Sequence, residues 1–447
     1  MSPRFDLLVT GAVLVSGEPG AGVVEDAAIG VIGGRFAFAG QRSALPDDAT
    51  AAERLDASGH LAIPGLINVH THTILSMVRG VAEDMGFAPA YTPGVPQGHM
   101  VTEEEAVALA RLGALEALLF GATLINDSYV HAHLTLPAMA ETGIRAFACS
   151  RIHDVDFSGV SQGRWVHDPA IGEATLAAAA TLAQRFDGVP DRRTGVQLAA
   201  HAPDTCSTAF LRVVKAASER LGLPVTTHLS QSGTEVARIR ERDGCTPAEL
   251  LDGLGLLDDR LVAAHCIHVT ESDIARIGRA RVHVAHIPKG NATGAVMAPT
   301  RALEDAGARL CLATDNMHAD MVEVMRWALA IGRLQRGRID ASWGPMEMLG
   351  FATRNGAAAM GLGDELGSVT VGKRADLALI DLRRPHLTPA MDPLGTVVHC
   401  GHGRDVAHVI VEGEIVVRGG VPTKVDMATI CREGAAASAA LWARARG

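Results

Sequence analysis

The sequence predicts an α/β protein: a (β/α)8 barrel of the TIM type with a small β-sandwich domain built from both chain ends. Three observations carry that expectation. Apolar runs alternate with helical patterns through the middle of the chain, short β-rich segments flank that middle, and metal-binding residue types recur where the apolar runs stop. Near-continuous apolar strands in β-α alternation imply a parallel sheet covered on both faces. Eight such units over about 300 residues fit a closed barrel. A doubly wound open sheet is the alternative, but no Gly-rich phosphate loop follows the first strand.

The flanks come first. Phe5–Val15, Ala28–Ile32 and Arg35–Ala39 read as short strands parted by turns such as Gly33-Gly34. Asp376–Asp381, Val406–Val411 and Glu414–Val417 echo them around Glu412-Gly413. The division expected is residues 1–62 and 365–422 for the sandwich, 63–364 for the barrel, and 423–447 for a C-terminal helix.

The body opens on the stretch around which the rest is organised, Ala62 to Thr73, AIPGLINVHTHT. After a long irregular loop, Thr102-Glu103-Glu104-Glu105 forms a capping box that starts a helix. Further strands are expected at Ala122–Ser128, Arg145–Ser150, Gly195–Ala202, Pro224–Leu229, Leu261–Cys266, Arg281–Ile287 and Arg309–Asp315. Helical patterns separate them, among them Ala170–Phe186, Thr208–Leu221, Thr270–Ala280 and Met321–Gln335.

Bulk properties narrow the function. With 48% hydrophobic and 20% charged residues, the 447-residue chain has the composition of a soluble globular protein. A formal charge of -10, with no basic block, argues against nucleic-acid or anionic-membrane partners; the partner expected is a small-molecule substrate. Cys149, Cys206, Cys245, Cys266, Cys311, Cys400 and Cys431 are scattered and show no C-x-x-C spacing, so neither a disulfide framework nor a thiolate zinc site is expected. MSPRFDLLV does not read as a signal peptide, and no apolar stretch approaches a membrane span. A cytoplasmic, reduced protein is expected.

The strand ends carry the chemistry. On a strand, residues i and i+2 share a face, so His70 and His72 leave its end side by side. Paired imidazoles there make half of a metal site. A bare His-x-His also arises where a strand simply enters a loop. The rest of the chain weighs against that: Asp127 lies near the end of strand two, and His201, His228, His265, His286 and Asp315 follow strands four to eight. Packing alone does not explain the recurrence, because buried imidazoles need partners. In such a barrel the strand C-termini hold the active site.

AIPGLINVHTHT, the His228 strand, LVAAHC, VAHIPKGN and LATDN, in that order, resemble the amidohydrolase superfamily. The branch resembled holds cytosine, guanine and S-adenosylhomocysteine deaminases and triazine hydrolases. LGSVTVGKRADLALIDL and HLTPAMDP extend the resemblance almost to the end. It implies one divalent metal, Zn2+ before Fe2+, on His70, His72, His228 and Asp315. It implies that Asp315 also takes the proton of a metal-activated water and that His265 polarises that water or holds the developing oxyanion; a ligand role for His265 is the alternative. Binuclear relatives carry a carboxylated Lys after strand four, where this chain has His201-Ala202-Pro203, so one metal is expected. HAPDTCS matches a deaminase segment whose His contacts substrate, which makes His201 a substrate-binding candidate. Asn291 and Lys289 are candidates from the loop after strand seven, although a solvated loop explains Lys289 equally well. Cys266 and Cys311 read as small core residues.

Two departures stand out. Deaminases of this branch read H-x-x-E after strand five; here the stretch is His228-Leu229-Ser230-Gln231. Glutamine cannot exchange a proton at neutral pH, so the usual general acid is absent. Gln231 is then a catalytic or substrate-binding candidate through its amide, and proton transfer falls to Asp315, His265 or the substrate. Glu235 lies four residues on. The loop after strand one, Glu83-Asp84-Met85-Gly86-Phe87 followed by YTPGVPQGH, lacks the Trp-rich segment of adenosine-type deaminases. Phe87 and Tyr91 are candidates for stacking on a flat ring, Arg151 for an anionic group on the substrate, and His131, His133 and His153 for the pocket rim. A Pro/Gly-ordered surface loop explains the first two equally well, and exposure the last three.

The expected function is metal-dependent hydrolysis of a C–N bond in a nitrogen heterocycle or cyclic amide, by a deaminase or a ring-amide hydrolase. Because of Gln231, a non-hydrolytic lyase, cyclase or decarboxylase on the same metal is the alternative, and a silent binding protein the third. By analogy with relatives, a homo-oligomer is expected.

Overall fold

The barrel closes where its last strand meets its first. In the computed structural model, which describes residues 4–85, 89–186, 193–339 and 342–446, Asp315 N donates to His70 O at 3.0 Å and His72 N donates to Asp315 O at 2.9 Å. Eight parallel strands follow in order: Leu66–Thr71, Ala122–Tyr129, Arg145–Ile152, Leu198–Ala200, Val225–Leu229, Val262–His265, His283–His286 and Arg309–Leu312. Helices between them include Pro169–Phe186, Thr208–Leu221, Glu271–Arg279 and Met321–Arg336. This is the barrel the alternation predicts.

Strands four to eight are shorter than expected, whereas strand two runs on to Tyr129. Strand four breaks into Thr194–Val196 and Leu198–Ala200 around Gln197, whose side chain accepts from Asn126 Nδ2 at 3.0 Å. Strand six stops at His265 and strand eight at Leu312, and His265, Cys266 and Asp315 have φ of 74°, 52° and 64°. Such left-handed backbone is uncommon outside glycine. Ile67, Leu124, Phe147, Val262, Ala285 and Cys311, drawn from strands around the ring, pack together as the barrel's interior core.

Both chain ends share one mixed sheet. Arg4–Leu14, Val24–Ile32, Arg35–Gln41, Thr50–Asp56 and His60–Pro64 join Leu377–Asp381, Val406–Val411, Glu414–Arg418 and Val421–Pro422. His60–Pro64 pairs antiparallel with Leu377–Asp381 and runs into barrel strand one through Gly65. Only glycine fits there: a Cβ would stand 2.1 Å from Thr123 Oγ1. Arg145, buried on strand three, bonds Asp376 at 3.1 Å and Glu412 at 2.7 Å and fastens barrel to sheet.

The capping box at Thr102 forms as the sequence predicts and starts Glu103–Leu119. The C-terminal helix, Met427–Arg446, packs on it. Trp442 Nε1 donates to Met77 O at 2.8 Å, tying the C-terminal helix to the loop after strand one. No helix among the described residues is long and apolar enough to cross a membrane.

Candidate metal centre and its chambers

Nitrogen or oxygen atoms of His70, His72, His228 and Asp315 lie within 4.8 Å of one another, and all four residues are buried. The tautomers follow from hydrogen bonds. His72 Nδ1 lies 2.5 Å from Ser128 O, and His228 Nδ1 lies 2.5 Å from His201 O. A carbonyl only accepts, so each Nδ1 carries the hydrogen and each Nε2 keeps a lone pair. Those two Nε2 atoms face each other at 3.3 Å. Burial, then the neighbouring His70, brings His72 down to about 3, and burial holds His228 well below the usual imidazole range. No proton is available to sit between them at neutral pH.

Asp315 Oδ1 completes the set at 3.3 Å from His72 Nε2 and 3.6 Å from His70 Nε2. Neither ring nitrogen of His70 finds a hydrogen-bond partner. Converging lone pairs around a carboxylate are repulsive alone and fit a divalent cation, and carbonyl acceptors on Nδ1 are the supports that orient ligating imidazoles. The residues present therefore suit the metal that the resemblance implies.

The other carboxylate oxygen looks elsewhere. Asp315 Oδ2 lies 4.0 Å from His265 Nε2. His265 Nδ1 lies 3.2 Å from Asn291 Oδ1, which as an acceptor fixes the hydrogen on Nδ1 and leaves Nε2 bare. Burial lowers the His265 pKa. Asn291 Nδ2 is buried and unpartnered.

Two adjoining chambers open here. The inner one is lined by His72, His228 and Asp315 together with Tyr91, Tyr129, Arg151, His201, Gln231, His265 and Asn316. An outer one of about 400 Å3 shares Tyr91, Gln231 and His265 with it and takes in Asn291. Sequence candidates thus brought together are the metal quartet, His265, His201, Gln231, Tyr91, Arg151 and Asn291. Thr205 Oγ1 gives its hydrogen to Ala202 O at 3.1 Å and so accepts from His201 Nδ1 at 2.8 Å, which leaves His201 Nε2 as an acceptor. Arg151 stacks 4.7 Å from both the Tyr129 and Phe157 rings. Gln231 Nε2 donates to Tyr91 Oη at 3.4 Å.

Other candidates fall away from the centre. Phe87 lies outside the described residues. Lys289 forms an ion pair with Glu323 at 2.7 Å. His131 and His153 bond the backbone at Val101 and Val155. His286 sits between Ala285 and Ile287, which fill the barrel interior, so its ring turns outward, and both nitrogens are unpartnered. Asp127 accepts from Thr73 N at 2.7 Å and Thr73 Oγ1 at 2.8 Å; burial raises it to about 6. It pins the turn after strand one instead of joining the quartet. Glu235 is buried with Oε1 and Oε2 each accepting a backbone hydrogen. Sequence reasoning passed over Tyr129, Asn316 and Trp165. A signal for Tyr129 existed: the chain has two tyrosines, and both line the inner chamber.

The amidohydrolase family pattern matches residues 61–416. The chain belongs to that family. It is 35% identical over 436 residues to a 5-methylthioadenosine/S-adenosylhomocysteine deaminase of Desulforudis audaxviator, covering 96% of this chain and 97% of that one. A Moorella thermoacetica protein of the same name is 32% identical, over 90% and 92% of the two chains. A zinc-bound adenosine deaminase from Xanthomonas campestris superposes with a TM-score of 0.88 at 26% identity, over 99% of each chain. An Arthrobacter aurescens atrazine chlorohydrolase, at 21% identity and a TM-score of 0.83 over 97% and 100%, shares the fold. This amidohydrolase is a hydrolase acting on C–N bonds other than peptide bonds. The non-hydrolytic alternative prompted by Gln231 is not favoured.

Proposed function

We propose that this amidohydrolase is a zinc-dependent deaminase of adenosine-type nucleosides, replacing the exocyclic amine of the purine by oxygen. The observation that carries the reading is the division of Asp315, with Oδ1 toward His72 and His70 and Oδ2 toward His265. The names of relatives 35% and 32% identical over nearly the whole chain support the substrate. Three imidazoles, one carboxylate and a zinc-bound structural neighbour support the metal.

His70, His72, His228 and Asp315 would hold the ion, and when bound it lowers the pKa of a water toward about 7. Asp315, ionised at neutral pH, accepts a proton from the attacking water through Oδ2. His265, with Nδ1–H committed to Asn291, turns its Nε2 lone pair toward the same place and orients that water. His201 Nε2 accepts a hydrogen from the substrate, and Arg151 donates to an electron-rich atom of the ring. Gln231 cannot release a proton, so Asp315 hands its proton to the leaving nitrogen, and ammonia departs as the C–N bond breaks. The Gln231 amide holds the heterocycle, steered by Tyr91. A cytoplasmic setting is part of the proposal, supported by the seven free cysteines.

The test is a panel of aminated purines, pyrimidines, triazines, pterins and cyclic ureas given to metal-replete protein, with products read by mass spectrometry and free ammonia. Exchange of an amino group for oxygen with one equivalent of ammonia from an adenine nucleoside is expected. Water added without ammonia would replace this reading by ring-amide hydrolysis, the second reading, which Gln231 favours.

A further inference from the structure

The outer chamber differs in character from the inner one. Among the described residues, no aspartate, glutamate, lysine or arginine lines it. Its apolar wall is Val160, Trp165, Ile267 and Val296, with Tyr91 at the inner mouth. That wall is held by packing: Val155, Phe157 and Val160 from the loop after strand three cluster with Tyr91 and Trp165, and the Tyr91 and Trp165 rings lie 5.8 Å apart. The Arg238 guanidinium is stacked 4.1 Å from the Trp165 ring and is not among the lining residues. A charged group entering such a space gives up its hydration without finding a counter-ion, whereas an apolar group gains from burial. The volume, about 400 Å3, exceeds what a small substituent fills, so size does not bar a longer tail.

Resting on the deaminase reading above, we propose that the outer chamber is a subsite for an uncharged, apolar 5′ substituent and selects against a zwitterionic amino-acid tail. Of the two nucleosides in its relatives' name, the methylthio compound is the substrate and the homocysteine compound is rejected. Heterocycle and ribose are common to both, so the tail alone decides.

Two measurements on the zinc-loaded enzyme test this. Ammonia release gives kcat/KM for 5′-methylthioadenosine and S-adenosylhomocysteine, and calorimetry gives Kd for their deaminated products, which do not react. A preference of about tenfold or more for the methylthio member is expected in both. Ser161→Arg puts a cation into the chamber and should narrow the ratio by improving the homocysteine ligand, while Trp165→Ala should weaken the methylthio ligand more than the other. Equal or reversed affinities, or no binding of either product, overturns the proposal. Reversed affinities abolished by Arg238→Ala would show that this guanidinium captures the tail. Failure of the deaminase reading looks different: neither nucleoside yields ammonia, while the binding order and its response to Ser161→Arg still report on the chamber.

Discussion

Glu235 holds Gln231 by the backbone. Its Oε2 accepts from Gln231 N and its Oε1 from Ser230 N, both at 2.8 Å, while its own N–H bonds the Ser232 hydroxyl. Ser230 has φ of 50°, a conformation that a non-glycine residue keeps only when its surroundings enforce it. Glu235 is thus a positioning residue and not a displaced copy of the missing acid. Burial, then the nearby Asp204, raises its pKa well above the usual carboxyl range. Glu235→Ala leaves two backbone donors unpaired, at a cost of about 1–3 kcal/mol each. The expected outcome is a lower melting temperature with KM raised more than kcat is lowered. Glu235→Gln, which keeps an acceptor, should recover much of the KM. An unchanged KM in the Ala variant would refute the role.

Gln231 invites the opposite experiment. Its side chain reaches both chambers and meets Tyr91 Oη. Gln231→Glu restores a group able to carry a proton to the leaving nitrogen, and positioned general acids contribute about 10²–10⁴-fold. We expect kcat for ammonia release to rise by about 10²-fold, the low end of that range. Steady-state kinetics on one adenine nucleoside is the check. A fall in kcat would mean that the carboxamide itself is needed by the substrate.

Strand-end His and Asp residues marked where the site lies, but the quartet itself was legible only through the resemblance of ordered motifs to the amidohydrolase family. What the order of strands could not convey was which strand-end residues converge. His286 and Asp127 share the pattern of His228 and Asp315, yet the pleat turns His286 outward and Thr73 captures Asp127. Left-handed backbone at His265 swings its side chain into the centre against the alternation set by Val262 and Ala264, whereas Asp315 stays in phase with Cys311 and Ala313. The outer chamber was not legible because its wall combines loops far apart in sequence, with Trp165 reaching Tyr91 only in the fold.

Acid should loosen that wall first. Asp154, on the loop after strand three, accepts from His167 Nδ1 at 2.8 Å, Ser207 N at 2.8 Å and Ser207 Oγ at 2.5 Å. Burial works to raise its pKa, but the bonds from His167 and Ser207 outweigh it and leave the carboxyl below its ordinary value. A depressed folded pKa means stability fully present above the unfolded value, about 3.9, and lost as pH falls through the lower folded value. Asp154→Asn should cost about 1–3 kcal/mol at pH 6. The gap from the parent should narrow as pH falls below about 3.9 and through the lower folded value, where both side chains become uncharged. Urea midpoints across that range decide it; a gap constant with pH would show that the carboxylate charge is irrelevant.

The facing lone pairs at the centre predict how the protein responds when metal is taken away. His72 Nε2 and His228 Nε2 at 3.3 Å, with Asp315 Oδ1 at 3.3 Å from the former, are favourable only around a cation. A ligand binding the folded state alone stabilises it by about 4 kcal/mol at a thousandfold excess over its Kd. Chelation should therefore abolish activity and lower the melting temperature, and zinc should restore both. Asp315→Asn separates holding the ion from moving the proton. It keeps an oxygen for the metal but removes the basic one facing His265, so kcat should fall by about 10²–10⁴ even at saturating zinc, with metal content measured by elemental analysis. His265→Ala should leave zinc content near that of the parent while lowering kcat, since its Nε2 faces Asp315 Oδ2. An Asp315→Asn protein with normal zinc and full activity would falsify the assignment of the proton to this carboxylate.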